Sequence, residues 1–174
     1  MQNIHHSIKS TLISIGTVLY LLITPNSTWA GEASVGPVHF SVPNDWEINK
    51  VTENHITICP KPQATSQKNV RPPTAQIWIQ IQPLRDTKGY GRKFKSPINY
   101  VKLHFGDAHE LRLNSVAWAT SERKVETSNE ITYVAFHSGK FIQVMANLHH
   151  SAKKEVIAAT REVFKSLKIV SKKP

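Results

Sequence analysis

Cysteine and glycine are scarce in this sequence, and the common catalytic motifs are missing. Its 174 residues include one cysteine, Cys59, so no internal disulfide can form. The 7 glycines build no glycine-rich phosphate loop, and there is no G-x-S-x-G or H-E-x-x-H motif. These absences argue against nucleotide-binding enzymes and the familiar hydrolases. Without disulfides the fold must be stabilised by burial of apolar side chains, for which the chain is long enough.

Acidic residues are also in deficit. There are 12 Asp and Glu against 22 Lys and Arg, and the formal net charge is +10 at pH 7. Such a charge favours contact with acidic proteins, anionic lipid or other polyanions. Nucleic acid is a poorer fit, because no helix or aromatic sheet motif of a nucleic-acid-binding domain accompanies the charge. We therefore expect a protein partner, anionic lipid or a polyanion, and no nucleic acid.

No apolar run is long enough to cross a membrane. The run at residues 11–23 has 13 residues, and a helix of that length reaches about 20 Å against a hydrocarbon core of about 30 Å. Lys9 precedes it without a neighbouring acid, and Thr28 and Ala30 suit the −3 and −1 positions of a signal peptidase site. The pattern predicts a cleaved secretory signal.

Cleavage before Gly31 divides the chain into a signal peptide, residues 1–30, and one mature domain, residues 31–174. No cysteine lies near the junction, which argues against a lipoprotein. The mature protein is expected to have no transmembrane segment and to be periplasmic or secreted outside the cell.

Alternating apolar and polar residues predict antiparallel strands in the mature chain. A proline-rich segment at 60–74 and a basic segment at 85–95 read as surface loops, and residues 107–113 show no assignable state. Cys59 is expected to be a buried, small apolar filler of its strand. The predicted strands cover residues 38–42, 46–51, 55–59, 75–83 and 115–127, with a hairpin over 130–150.

The predicted hairpin is apolar on both faces. Its turn at Ser138-Gly139 pairs His137 with Lys140, which puts Tyr133 on one face and Val134 on the other. A sheet that is apolar on both sides must be covered on both sides. Two amphipathic helices can cover it: residues 96–106, capped by Ser96 and ended by Gly106, and residues 151–170, capped by Ser151, with a stripe at 156, 157, 160, 163, 164 and 167.

The segment "VHFSVPNDWEI", residues 38–48, joins an alternating strand to a Pro-Asn-Asp turn and a tryptophan, and the last helix ends in "VFKSLKIV". With the mid-chain helix and the late hairpin, these motifs resemble the Mog1/PsbP family. The resemblance implies an α+β fold, an α-β-α sandwich with a central twisted antiparallel sheet. It also implies a binding protein, since members include photosystem subunits and a factor that binds the GTPase Ran, with no shared catalytic residues.

The loop "RDTKGYGRKFK", residues 85–95, interleaves cations with aromatic rings, so it suits an anionic surface. At about 1 kcal/mol per cation, its cations supply about 5 kcal/mol, enough for weak recruitment. The alternative interpretation is a solvated loop that serves solubility. The candidate binding residues are Arg85, Lys88, Tyr90, Arg92, Lys93, Phe94 and Lys95.

Trp78 and the histidines are the other candidates. Trp78 stands among glutamines on the polar side of its strand, where an exposed ring would mark a contact. Asp107 and His109 can lie on one side of the chain, but a tetrahedral site wants three or four protein ligands. His149 and His150 should point to opposite faces of their strand. We therefore expect no metal, no other cofactor and no catalytic residue.

The leading hypothesis is an exported, non-enzymatic interaction protein, in its most specific form a secreted effector that engages a protein or anionic surface of a host. The alternative is a small metal-dependent binder or enzyme that uses Asp107 and His109.

Overall fold

The computed structural model describes residues 29–61, 74–84 and 94–170. Within these ranges the chain forms a sheet-rich α+β fold with a helix on either side of its main sheet, as the sequence predicts. The elements are β1 (Trp29–Val35), β2 (Val38–Pro43), β3 (Trp46–Thr52), β4 (His55–Pro60), β5 (Ala75–Pro83), α1 (Pro97–Phe105), β6 (His109–Leu113), β7 (Val116–Lys124), β8 (Ser128–His137), β9 (Lys140–His149), α2 (Lys154–Ser166) and β10 (Lys168–Ile169).

The described strands form two antiparallel sheets. The main sheet has seven strands in the order β3-β4-β5-β9-β8-β7-β6, and a smaller sheet has the order β1-β2-β10. Four features were not predicted from the sequence: β1, β6, β10 and the division into two sheets. β10 has only two residues, which is too short for an alternating pattern to predict a strand.

The β8–β9 hairpin has the predicted register. His137 pairs with Lys140, and Tyr133 pairs with Val144. Ser138 and Gly139 have φ angles of 48° and 70°, the left-handed conformations that a two-residue type I′ turn requires. The side chains on the two faces of this hairpin pack into two different cores, as expected from their apolar composition.

One face of the main sheet packs against α2 and the small sheet. Phe164 of α2 and Phe40 of β2 lie in the same core as Ile77 of β5 and Ile142 of β9, and all four side chains are buried. Thr160 is the polar member of the α2 stripe. It is fully buried, and its hydroxyl donates to the Val156 carbonyl at 2.9 Å, which satisfies the polar group without a partner from the sheet.

The ends of α2 differ from the prediction. The helix begins at Lys154, its N-cap is Lys153, and Lys153 makes no side-chain capping bond. Ser151 is not the cap, because the Ala152 N–H donates to the His149 carbonyl at 2.8 Å and closes a turn before the helix starts. At the other end the helix stops at Ser166, and the residues that follow it pair with β2.

The opposite face packs against α1. Val101 of α1 is fully buried against Ala119, Val134 and Phe141. Ser96 caps the helix as predicted, with its hydroxyl accepting from the Asn99 N–H at 3.4 Å. α1 lies on β7, β8 and the start of β9, so this second core covers only that half of the sheet face.

The Pro-Asn-Asp segment forms the corner between the two sheets. β2 belongs to the small sheet and β3 to the main sheet, and the buried Trp46 follows the turn directly. Lys61 holds the corner against the end of β4, since its N–H donates to the Asp45 carbonyl at 2.7 Å and its Nζ donates to the Asn44 carbonyl at 2.8 Å. The segment therefore forms a corner of the fold, as the sequence predicts.

Among the described residues, no helix is long and apolar enough to cross a membrane.

Candidate functional site

The basic loop is the first candidate, and most of it lies outside the described residues. Phe94 and Lys95 are described; Lys95 is exposed and Phe94 is half-buried. The candidates outside the described ranges are Arg85, Lys88, Tyr90, Arg92 and Lys93.

Phe94 belongs to a group of rings at α1 and the neighbouring strand β9, which we call the aromatic cluster: Phe94, Tyr100, His104 and Phe141. The Phe94 ring lies 5.1 Å from Tyr100 in a T-shaped contact and 5.6 Å from His104. Tyr100 in turn lies 4.8 Å from Phe141 of β9. Such pairs add about 0.5–1.5 kcal/mol each beyond area burial. The cluster therefore ties the end of the basic loop to α1 and, through Tyr100, to the main sheet.

The other end of α1 is joined to β7. The Ser121 hydroxyl donates to the Phe105 carbonyl at 3.4 Å, and the Arg123 guanidinium lies 5.3 Å from the centre of the Phe105 ring. Arg123 also pairs with Glu130 at 2.6 Å. Because both ends of α1 are held, the helix forms a fixed base for the loop that enters it.

Trp78 lies on the half of the sheet face that α1 leaves uncovered. It stands directly opposite Thr57 of β4 and Met145 of β9, and its side chain is half-buried. Gln76 and Gln80 flank it on β5. We call this region the polar face. It offers a partly accessible ring among neutral amides, a hydroxyl and the Met145 thioether, so the apolar contact expected at Trp78 is limited to part of its ring.

Cys59 lies at the β3 side of the polar face and is buried, as predicted, with 8% exposure. Its environment is polar, however, and it is not an apolar filler. The thiol donates to Oε1 of Glu47 at 3.6 Å, and Asn49 Nδ2 lies 3.8 Å from the sulfur. Burial raises the pKa of the Cys59 thiol, and the hydrogen bond and negative charge of Glu47 raise it further. A thiol held in this neutral form is a poor nucleophile.

Among the described residues, Tyr133 also has a shifted pKa. It packs edge-on against Phe164 with ring centres 4.7 Å apart. Burial raises the pKa of its phenol, and the nearby Arg161 opposes that effect. The phenol therefore stays protonated, in a packing role between β8 and α2.

The histidine candidates do not converge on a metal. Asp107 and His109 are both exposed, near the start of β6. His149 ends β9 and its Nδ1 hydrogen-bonds with the Ser151 hydroxyl at 2.7 Å, while His150 follows in a turn. Within residues 29–61, 74–84 and 94–170, no group of three His, Cys, Asp or Glu side chains is placed to hold a metal ion.

Comparison with known proteins gives a match in solved structures. No protein-family model and no curated protein matches the sequence. The solution structure of cyanobacterial PsbP (CyanoP) from Synechocystis sp. PCC 6803 aligns with 76% of this chain and 86% of its own, at a TM-score of 0.50 and 11% identity. The fold is PsbP-like.

A second match comes from Bacteroides thetaiotaomicron VPI-5482. That crystal structure aligns with 81% of this chain at a TM-score of 0.51 and 11% identity. The chain spans about half of that longer protein, 49% of its length. At such identity the similarity concerns the fold alone, and it confirms at that level the Mog1/PsbP resemblance of the sequence.

The contact between Glu47 and Cys59 in this PsbP-like sheet was missed by the sequence analysis for a specific reason. A β-bulge between Lys50 and Thr52 shifts the β3–β4 register by one residue. If the register set by the Thr52–His55 pair continued along both strands without the bulge, Ile48 and not Glu47 would lie opposite Cys59. A one-residue shift exchanges the two faces of a strand, and alternation alone does not reveal it.

Proposed function

We propose that this chain is an exported binding protein without a catalytic centre, which engages an anionic surface of a protein or a lipid through the basic loop that enters α1. The observation that carries the proposal is the attachment of Phe94 to Tyr100 and His104, because it presents the end of the loop on a fixed base. A segment that is already fixed at one end loses less conformational entropy on binding than one that is free at both ends.

The charges beside that base support an anionic ligand. Lys95 follows Phe94, and Lys102 lies on the outward side of α1; both are exposed, and neither forms an ion pair with the described part of the chain. Together they give α1 and the segment before it two exposed positive charges. Such a surface raises the local concentration of anionic partners and speeds their association.

Among the described residues, Cys59 and Tyr133 give no support to a nucleophilic role. Burial raises the pKa of the Cys59 thiol and of the Tyr133 phenol. An activated nucleophile requires the opposite shift, toward the anion at neutral pH.

The test measures binding of the mature protein to heparin and to vesicles that contain anionic lipid, over a range of salt concentrations. The triple variant Arg92→Ala, Lys93→Ala, Lys95→Ala should weaken binding at least about tenfold, since three cations supply up to about 3 kcal/mol. The control variant Lys124→Ala, Lys153→Ala, Lys154→Ala removes three exposed cations elsewhere and should change it little. Equal loss in both variants, or none in the first, would reject the loop as the contact surface.

Trp78 is proposed as a contact of a protein partner on the polar face. Trp78→Ala should leave heparin binding unchanged, since heparin responds to charge. It should weaken the interaction with a protein partner recovered with the exported protein. If binding to heparin and to the protein partner weakened equally, Trp78 would stabilise the fold and would not be a partner contact.

Metal content separates the proposal from the alternative that uses Asp107 and His109. Protein purified without an affinity tag should contain no stoichiometric metal. Zinc or copper near one ion per chain, lost in the variant His109→Ala, would favour the metal-dependent binder or enzyme.

A further inference from the structure

β6 is an open edge of the main sheet. It ends the strand order next to β7, and no described strand pairs with its outer side. Its first four residues are exposed, and Leu111 retains 38% of its accessible surface. The strand contains no proline, and its pairing with β7 shows no bulge. A regular exposed edge of this kind is a template for another strand.

The opposite edge of the sheet carries a protective feature that β6 lacks. β3 has the β-bulge between Lys50 and Thr52. A bulge disturbs the ladder and twists an edge away from further pairing. Of the two described edges of the main sheet, β6 is therefore the one suited to receive a strand.

The turn after β6 shows which backbone groups point outward. Asn114 and Ser115 have φ angles of 48° and 67°, as in a two-residue type I′ hairpin, whose flanking residues Leu113 and Val116 share hydrogen bonds. Hydrogen bonding to β7 then alternates along the strand, falling on Leu113, Leu111 and His109. The N–H and C=O groups of Glu110 and Arg112 lie between these positions and point away from the sheet.

A second copy of β6 can meet this edge in few registers. Outward-facing residues must pair with each other in an antiparallel ladder. Pairing Glu110 or Arg112 with itself sets like charges opposite each other, which is unfavourable. Pairing Glu110 with Arg112 of the second copy sets opposite charges together on both sides of a two-fold axis at Leu111. Neither Glu110 nor Arg112 is in an ion pair within the described part of the chain.

We propose that two copies of this chain associate through β6, antiparallel and centred on Leu111, so that their main sheets join. In this register each pair of Glu110 and Arg112 exchanges both of its backbone hydrogen bonds. The exposed Leu111 side chains of the two copies form the closer, non-hydrogen-bonded pair on the α2 side of the sheet. The interface is isologous, and each copy supplies the same short strand.

The test follows self-association of the mature protein by analytical ultracentrifugation over a range of concentrations. Glu110→Arg and Arg112→Glu each replace two attractive pairs by two repulsive pairs, and each should raise the dimer dissociation constant at least about tenfold. The double variant Glu110→Arg, Arg112→Glu reverses both partners and should restore the wild-type constant. Glu126→Arg, at an exposed turn residue away from β6, makes the same charge change and should have no effect.

A cysteine cross-link reports the register even when the dimer is weak. The Leu111 Cα atoms of the two copies would lie about 4.5 Å apart, within the range of a disulfide. Leu111→Cys should therefore give a covalent dimer under mild oxidation, and Ala117→Cys, exposed on β7, should not. A wild-type protein that stays monomeric, together with a Leu111→Cys variant that forms no cross-link, would overturn the proposal. So would single and double charge variants that weaken the dimer equally.

Discussion

The Cys59 sulfur lies 3.6 Å from Oε1 of Glu47, across the β3–β4 pair. Both side chains lie on the face of the main sheet that carries Trp78, and the carboxylate accepts a hydrogen bond from the thiol. The hydrogen bond and the negative charge both favour the protonated thiol, in addition to the effect of burial.

Replacing that carboxylate should make the thiol more reactive. Glu47→Gln removes the negative charge, so the pKa of Cys59 falls and more thiolate is present at a given pH. The measurement is the rate of iodoacetamide alkylation of the folded protein from pH 7 to 10. The variant's profile should move to lower pH, while Glu53→Gln, in the exposed turn between β3 and β4, should match the wild type. An unchanged profile for Glu47→Gln would show that burial alone raises the pKa.

Core packing on the α2 side should respond to the loss of one methylene group. Ile77 is fully buried, so Ile77→Val should lower the free energy of unfolding by about 0.5–1.5 kcal/mol. Ile48 is 42% exposed, and Ile48→Val should change it by less than about 0.5 kcal/mol. Urea unfolding followed by tryptophan fluorescence compares them. Equal effects would contradict the different burial of these two positions.

The β8–β9 turn should tolerate glycine at one position and require it at the other. Gly139 has φ 70°, so Gly139→Ala should cost about 1 kcal/mol of stability. Ser138 already adopts a strained φ of 48°, and Ser138→Gly should be neutral or slightly stabilising. Thermal unfolding of both variants tests this; a stabilising Gly139→Ala would rule out the type I′ turn.

Export should yield a chain that begins at Gly31. β1 starts at Trp29, and its ladder with β2 is irregular between Trp29 and Gly31 and continuous from Gly31 onward. Cleavage there would remove Trp29 and Ala30 and leave the regular part of β1 paired. Intact-mass measurement of the exported protein tests this. A mature chain that begins inside the regular ladder, beyond Glu32, would contradict it.

Much of the fold could be predicted because several patterns are local. The stripe of α2 follows from helical periodicity, and the cap of α1 follows from Ser96 and Pro97 at its start. The His137–Lys140 pairing follows from a two-residue turn. The contacts of the candidate site could not be predicted in the same way. The contact between Phe94 and the rings of α1 depends on the tertiary structure and not on a local pattern.

Local patterning by itself determined most of the strands, though not β1, β6 or β10, together with the two helices and the need to cover the main sheet on both sides, since each of these depends on spacing along the chain. The tertiary structure alone decided the β3 bulge that brings Glu47 to Cys59, the pairing of Ile169 with Val38 in a second sheet, and the open edge at β6. These features depend on which distant segments meet and in what register, and the free energy of such contacts belongs to the packed molecule and not to any one segment.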